Sequence, residues 1–214
     1  MTPDFVSDDG RVKLYNVDCM DYMATCKENE FDLAVVDPPY RDENQPDQWM
    51  RSNGSMKSLQ GRPCADYFND LLTVSENQII WGANNFELRQ WKGFLFWRKT
   101  GINNDVHFSC GEVASISEGL GTVCKVIDLH TNTKGKIHPT QKPVKLYDWI
   151  YANYAKKGQR ILDTHLGSGS NAIAAHYAGM EFVGCELDKD YFWASVERFK
   201  QATAQGDIFQ EVSA

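Results

Sequence analysis

The run Phe31-Asp32-Leu33-Ala34-Val35-Val36 is halted by Asp37-Pro38-Pro39-Tyr40, and this junction limits the possible folds more than any other stretch. A nearly continuous apolar run marks a strand buried on both faces, as in sheets covered by helices. Two consecutive prolines then remove two N–H donors and fix the backbone, so the strand ends there, at its carboxyl edge. Around it, residues 12–17 read as a short strand and 20–27 as a short helix, completing a strand-helix-strand unit. Residues 65–74 read as a helix, and 78–81, 94–97 and 113–117 as strands. Pro143 opens a helix over 143–155, with Val144, Leu146, Tyr147, Ile150, Tyr151 and Tyr154 on a helical period and Gly158 beyond its end. Strands at 160–162 and 182–185 then alternate with helices at 170–178 and 189–201. The pattern predicts an α/β fold with a mainly parallel sheet flanked by helices. Residues 41–63, 101–112 and 129–136 read as irregular, and loops of such length are functional or disordered.

At 214 residues, with 42% hydrophobic and 24% charged side chains, the chain suits a single domain over 1–214 and excludes a coiled coil or a disordered polymer. No apolar stretch is long enough to span a bilayer, and Met1-Thr2-Pro3-Asp4-Phe5 lacks the basic and apolar regions of a leader, so a cytoplasmic protein without membrane contact is expected. The six cysteines form no C-x-x-C pair, which suggests reduced thiols and no metal site. A net charge of −7 argues against a wholly electrostatic grip on nucleic acid, yet Lys134, Lys136, Lys142 and Lys145 cluster while the C-terminal stretch is acidic.

Three segments carry chemistry. Asp37-Pro38-Pro39-Tyr40 offers a carboxylate and rigidly held carbonyls, an acceptor set matched to the two hydrogens of an exocyclic amine, with a tyrosine able to stack on a flat ring. In Asp163-Thr164-His165-Leu166-Gly167-Ser168-Gly169-Ser170 a strand end passes through glycines into a helix, where the backbone can approach a ligand. Glu186, after the next strand, can accept from both hydroxyls of a ribose. These features predict a nucleoside-bearing cofactor. Gly167-x-Gly169-x-x-Ala172 also fits a dinucleotide fingerprint, but only about 45 residues follow it, too few for the substrate domain of a dehydrogenase. His138-Pro139-Thr140-Gln141-Lys142-Pro143 alone reads as a helix entrance capped by Thr140.

Taken in order, these three segments resemble the beta-class DNA amino-methyltransferases, which depend on S-adenosylmethionine. The resemblance runs from about Val12 to Phe199 and takes in Ile80-Trp81-Gly82-Ala83-Asn84-Asn85-Phe86 and Phe96-Trp97-Arg98-Lys99. It implies a seven-stranded Rossmann-like sheet in permuted order, with the catalytic strand first and the cofactor strands last. It further implies transfer of a methyl group to the N6 amine of an adenine flipped out of double-stranded DNA. Asp37, Pro38, Pro39 and Tyr40 would be catalytic, with Phe86, Trp97 or Trp49 as aromatic candidates for the gap left in the duplex. For S-adenosylmethionine it implies Asp163 at the methionine amine, Glu186 at the ribose, Asp18 near the adenine, and Gly167, Ser168 and Gly169 as the close-approach loop. His138, Thr140 and Lys142 would close over the methionine end, with Lys142 facing its carboxylate.

The family commonly has Asp-Pro-Phe where this chain has Asp163-Thr164-His165, and His165 reads as a packing substitute. Cytosine N4 is the alternative target, with Asp37 favouring adenine by family habit, and a catalytically inactive binding module is a further alternative. Residues 41–63 and 101–136 are candidate DNA-contacting insertions carrying Arg41, Arg51, Lys57, Arg62, Lys125 and Lys134, with Lys99 just before the second. A bacterial or phage setting, with or without a partner nuclease, fits the family. The sequence leaves monomer and homodimer equally open.

Overall fold

The computed structural model describes residues 1–40, 61–88, 92–102, 109–131 and 135–211. Its strands are β1 (Phe5–Val6), β2 (Val12–Tyr15), β3 (Phe31–Val36), β4 (Ser75–Trp81), β5 (Gly93–Thr100), β6 (Gly111–Ile116), β7 (Cys124–His130), β8 (Arg160–Asp163) and β9 (Glu181–Cys185). Its α-helices are α1 (Cys19–Met23), α2 (Ala65–Val74), α3 (Val144–Tyr154), α4 (Ser170–Ala178) and α5 (Lys189–Glu211). All nine described strands join one sheet in the order β1-β2-β9-β8-β3-β4-β6-β5-β7. Pairings are parallel except β1 with β2, β4 with β6 and β5 with β6.

The α/β class and the largely parallel sheet are as expected, while the strand count is nine rather than seven. The additions lie at the two margins. β1 is a two-residue strand, too short to show a period. β7 sits at the opposite margin, where its Cys124-Lys-Val-Ile-Asp-Leu-His130 sequence buries only Ile127, so the run lacks the apolar face that reveals a strand. The stretch 101–136 thus contains two strands of the sheet, β6 and β7. Residues 41–60, including Arg41, Trp49, Arg51 and Lys57, lie outside the described residues, as do residues 132–134.

Apolar side chains cover both faces. On one, Leu146, Ile150 and Tyr151 of α3, Ile173 and Ala174 of α4, and Phe192 and Val196 of α5 pack with Leu33, Val35 and Ile161. On the other, Tyr22 and Met23 of α1 and Tyr67 and Leu71 of α2 pack with Phe31, Ala34, Val36 and Leu162. Strands β3 and β8 are neighbours, yet the chain leaves β3 towards β4 and leaves β8 towards β9, in opposite directions. The helices that follow, α2 and α4, therefore cover opposite faces and leave a crevice at the carboxyl ends of β3 and β8, the usual ligand position in open α/β sheets.

Candidate active site

Asp37 directly follows β3 and Asp163 ends β8, so the fold brings the proline turn and the glycine loop to the two lips of that crevice. On the β3 side, Asp37 Oδ1 accepts a hydrogen bond from the Tyr40 hydroxyl at 2.5 Å, and Asp37 Oδ2 is ion-paired with the Lys142 ammonium. The Tyr40 ring lies against Gly82, where an added Cβ would come within 2.1 Å of a ring carbon. Gly82 also has φ +70°, so two constraints require glycine there. Phe86 meets the Tyr40 ring edge-on at 6.1 Å, whereas Trp97 is a core residue donating through Nε1 to the Leu129 carbonyl at 2.9 Å.

Lys142 is the largest departure from expectation on this side. Its side chain is 3% exposed, and its three N–H groups find three acceptors: Asp37, Glu112 Oε2 at 3.0 Å and the Tyr40 oxygen at 3.3 Å. A buried ammonium must be fully partnered, and the partners here belong to the proline turn and β6 rather than to an incoming carboxylate. Glu112, from the start of β6, also binds Lys99 at 2.6 Å. Burial raises the Asp37 carboxyl above its ordinary range, Lys142 opposes that rise, and Glu112 adds to it. Burial acts in the same sense on Glu112, but Lys142 and Lys99 hold its carboxyl down at about 2. Burial would lower the Lys142 ammonium, and the two carboxylates reverse this and keep it charged.

The β8 side is built mainly from backbone. Gly167 and Gly169 have φ of +52° and +71°, and Gly169 caps α4. The Glu186 carboxylate accepts from Gly167 N at 2.8 Å and Asp188 N at 3.0 Å, which leaves lone pairs on both oxygens. Burial raises its pKa. Asp163 is buried, accepting from His165 N at 3.0 Å and Asn171 Nδ2 at 2.9 Å. Burial, only partly offset by these hydrogen bonds, pushes its carboxyl up to about 7. Asn171 also donates to the Val35 carbonyl at 3.0 Å and accepts from Tyr151, tying β3, β8 and α3 together.

His138 stacks edge-on against Tyr191 at 4.5 Å and borders Gly167, and burial depresses its imidazole to about 4. Thr140 binds the His138 ring at 3.1 Å and is not the helix cap, since α3 starts after Pro143, where the chain is already extended by the proline. The Ser168 hydroxyl faces Ser170 at 3.1 Å, its carbonyl accepts from Arg198 at 2.7 Å, and Ser170 Oγ donates to the Lys142 carbonyl at 2.7 Å. The latter bond fastens the 138–143 segment to the glycine loop. Asp18 caps α1 through Met20 N at 2.8 Å. His165 lies edge-on to Tyr67 at 5.3 Å, and a chain of hydrogen bonds runs from Tyr67 through Thr164 to its Nδ1. Burial depresses this imidazole to about 4 as well, so it is neutral near pH 7 and fills an aromatic's place.

Three participants were missed by sequence reasoning in their present roles: Glu112, Asn171 and Tyr67. Glu112 and Asn171 did leave a signal, a lone carboxylate in a strand of small and apolar residues and an amide at an inward position of a helix. Of the basic residues singled out, Lys99 is held by Glu112, Lys125 lies over the rings of Trp149 and Tyr154, and Arg62 lies over Phe86. No helix among the described residues is long and apolar enough to cross a membrane.

Comparisons with known proteins converge on this architecture. The family model for N6/N4 DNA methylases matches residues 121–197. The type II methyltransferase M2.MboI of Moraxella bovis is 23% identical, covering 94% of this chain and 92% of its own length. M2.DpnII of Streptococcus pneumoniae is 36% identical over 29% of this chain and 24% of its own. Among solved structures, the cytosine-N4-specific PvuII DNA methyltransferase superposes with a TM-score of 0.64 at 11% identity, covering 95% of this chain and 93% of its own. The M1.HpyAVI complex with S-adenosylmethionine gives 0.59 at 19% identity, covering 87% and 99%.

Proposed function

We propose that this chain, which is similar to the N6/N4 DNA methylases, transfers a methyl group from S-adenosylmethionine to the exocyclic N6 amine of adenine in double-stranded DNA. The observation that carries this reading is the placement of Asp37-Pro38-Pro39-Tyr40 beside Asp163 and Gly167 at the carboxyl ends of adjacent strands.

The donor set suits the cofactor. Asp163 is a buried carboxylate whose described hydrogen bonds come only from neutral N–H groups, which suits a cationic amine. Glu186 retains acceptor capacity for two hydroxyls, and the positive φ at Gly167 and Gly169 brings the backbone close to the crevice. Bound S-adenosylmethionine would supply an activated methyl group on a sulfonium with a good leaving group. The protein's task is to make the amine nucleophilic, because its lone pair is delocalised into the ring. Asp37 already accepts from Tyr40 and Lys142, and a carboxylate has about four lone-pair positions, so two remain for an amine hydrogen. With the Pro38 carbonyl taking the second hydrogen, the nitrogen is drawn towards a tetrahedral geometry. Tyr40, seated on Gly82 and tied to Asp37, would stack on the base. Reaching a base in a duplex requires flipping it out, at a cost of a few kcal/mol.

Cytosine N4 presents the same kind of amine to the same acceptors and is the second reading, favoured by the fold match to an N4-specific enzyme. Incubation of wild type and Asp37→Ala with S-adenosylmethionine and unmethylated bacterial DNA, followed by nucleoside mass spectrometry, tests both. N6-methyladenine from wild type alone supports the proposal, N4-methylcytosine replaces the base assignment, and no methylated base overturns the reaction.

A further inference from the structure

The Asp37–Lys142 pair poses a chemical problem. An ammonium bound wholly to one carboxylate neutralises it and weakens it as an acceptor for anything else. In this structure the ammonium is not bound wholly to Asp37. Glu112 Oε2 takes a second N–H at 3.0 Å, and Glu112 is itself anchored on its outer side by Lys99 at 2.6 Å. Its side chain is 20% exposed, close to the 16% of Asp37, so this is a partly desolvated cluster of two carboxylates and two ammoniums. The strand register places it there: Glu112 pairs with Trp97 of β5, two residues before Lys99, and lies two residues before Ala114, which pairs with Trp81 beneath the Lys142 ammonium. β6 thereby delivers one carboxylate to the back of the turn while the front faces the crevice.

On the reaction proposed above, we infer that Glu112 is a positioning residue: by holding one N–H of Lys142 it keeps the ammonium between two carboxylates and preserves the acceptor strength of Asp37 towards the substrate amine. Glu112 touches neither substrate nor cofactor in this scheme, and acts through Lys142. Lys142 in turn holds Tyr40 by its oxygen, so one anchored ammonium sets both the acceptor and the stacking ring. The other charged or titratable groups that act on this cluster are Tyr147 from α3, Asp163 from β8, and Lys136 and His138 from the approach to α3.

The test follows the Asp37 carboxyl directly, by ¹³C NMR titration of aspartate-labelled protein with the resonance assigned by its loss in Asp37→Asn. Removing the charge of Glu112 in Glu112→Gln is expected to lower the Asp37 midpoint by about one pH unit, and Lys142→Met to raise it. Glu112→Asp keeps the charge but withdraws it by one methylene, and is expected to shift the midpoint in the same direction by less. For methyl transfer, Glu112→Gln should lower kcat on the order of tenfold and move its acid limb to lower pH, with KM for S-adenosylmethionine unchanged. In a Lys142→Met background the same change should cost little further. A folded Glu112→Gln or Glu112→Asp protein with the wild-type Asp37 midpoint overturns the inference, as does an equal loss of turnover with and without Lys142. Because the titration needs no turnover, an inactive wild type with the expected shifts would overturn the proposed reaction and leave the role of Glu112 towards Asp37 standing.

Discussion

The two lips of the crevice are made by different means. The β8 lip is contiguous, with Asp163, Gly167 and Gly169 inside seven residues of chain, and its shape is set chiefly by the positive φ of the two glycines and by backbone N–H groups donating to the Asp163 and Glu186 carboxylates. The β3 lip is assembled, since Asp37, Gly82, Glu112 and Lys142 come from four separate segments and meet through side-chain charges. A contiguous lip tolerates side-chain exchange provided its glycines remain, and Thr164 and His165 are accommodated there by Tyr67, through a hydrogen bond to Thr164 and an edge-on contact with His165. An assembled lip has no such freedom, because every charge there is balanced by another from a distant segment.

The contrast is broken most severely at Asp37. Asp37→Asn removes an acceptor in the cluster while leaving the β8 lip intact, so methyl transfer should fall by roughly a thousandfold with S-adenosylmethionine affinity unchanged, read by nucleoside mass spectrometry and calorimetry. Gly82→Ala comes next. It forces a non-glycine residue to φ +70° and drives a Cβ into the Tyr40 ring, so turnover should drop sharply and the fold should lose about 1–3 kcal/mol in denaturant titration, again with little change in cofactor affinity.

Asp163 sharpens the comparison from the other side. Its folded-state pKa of about 7 lies above the ordinary 3.8, so its contribution to stability is full below that lower value and is lost as pH rises through about 7. Asp163→Asn should therefore be more stable than wild type at pH 8 by thermal melting. It should also weaken cofactor binding by about 1.5–3 kcal/mol, while wild-type affinity improves from pH 6 to 8 as the carboxylate forms. The smallest effect is expected at His165. His165→Phe removes one hydrogen bond from Thr164 and restores an apolar ring against Tyr67, so stability and cofactor affinity should each change by about 1 kcal/mol or less.

The same contrast explains what could be read from the chain. β3, α2 and α4 have the bounds that the sequence predicts, because β3 is a continuous apolar run stopped by two prolines, α2 carries a helical period, and α4 is a run of small and apolar residues between Gly169 and Gly179. The glycine loop and Glu186 were legible because their pattern is local. Glu112 and Asn171 were less so, because their significance depends on partners 30 and 8 residues away, Lys142 and Asp163, that only the packed sheet brings near. The sequence marks Lys142 as a site residue but not its partners within the chain, since sequence order places it before the glycine loop while the fold turns its ammonium towards Asp37 and Glu112. β7 escaped because a marginal strand that buries one residue has no two-residue period to detect.

The pairing of Leu33 with Ile161 also sets a schedule for synthesis. At roughly 5–20 residues per second, β8 leaves the ribosome on the order of ten seconds after β3. Through that interval β3 can pair with β4, but its other edge remains open, and both Lys142 and the glycine loop are still to come. Parallel pairing across such a separation is slow, so the crevice is among the last features to form, and a nascent chain arrested before residue 160 would hold Asp37 on an unfinished edge.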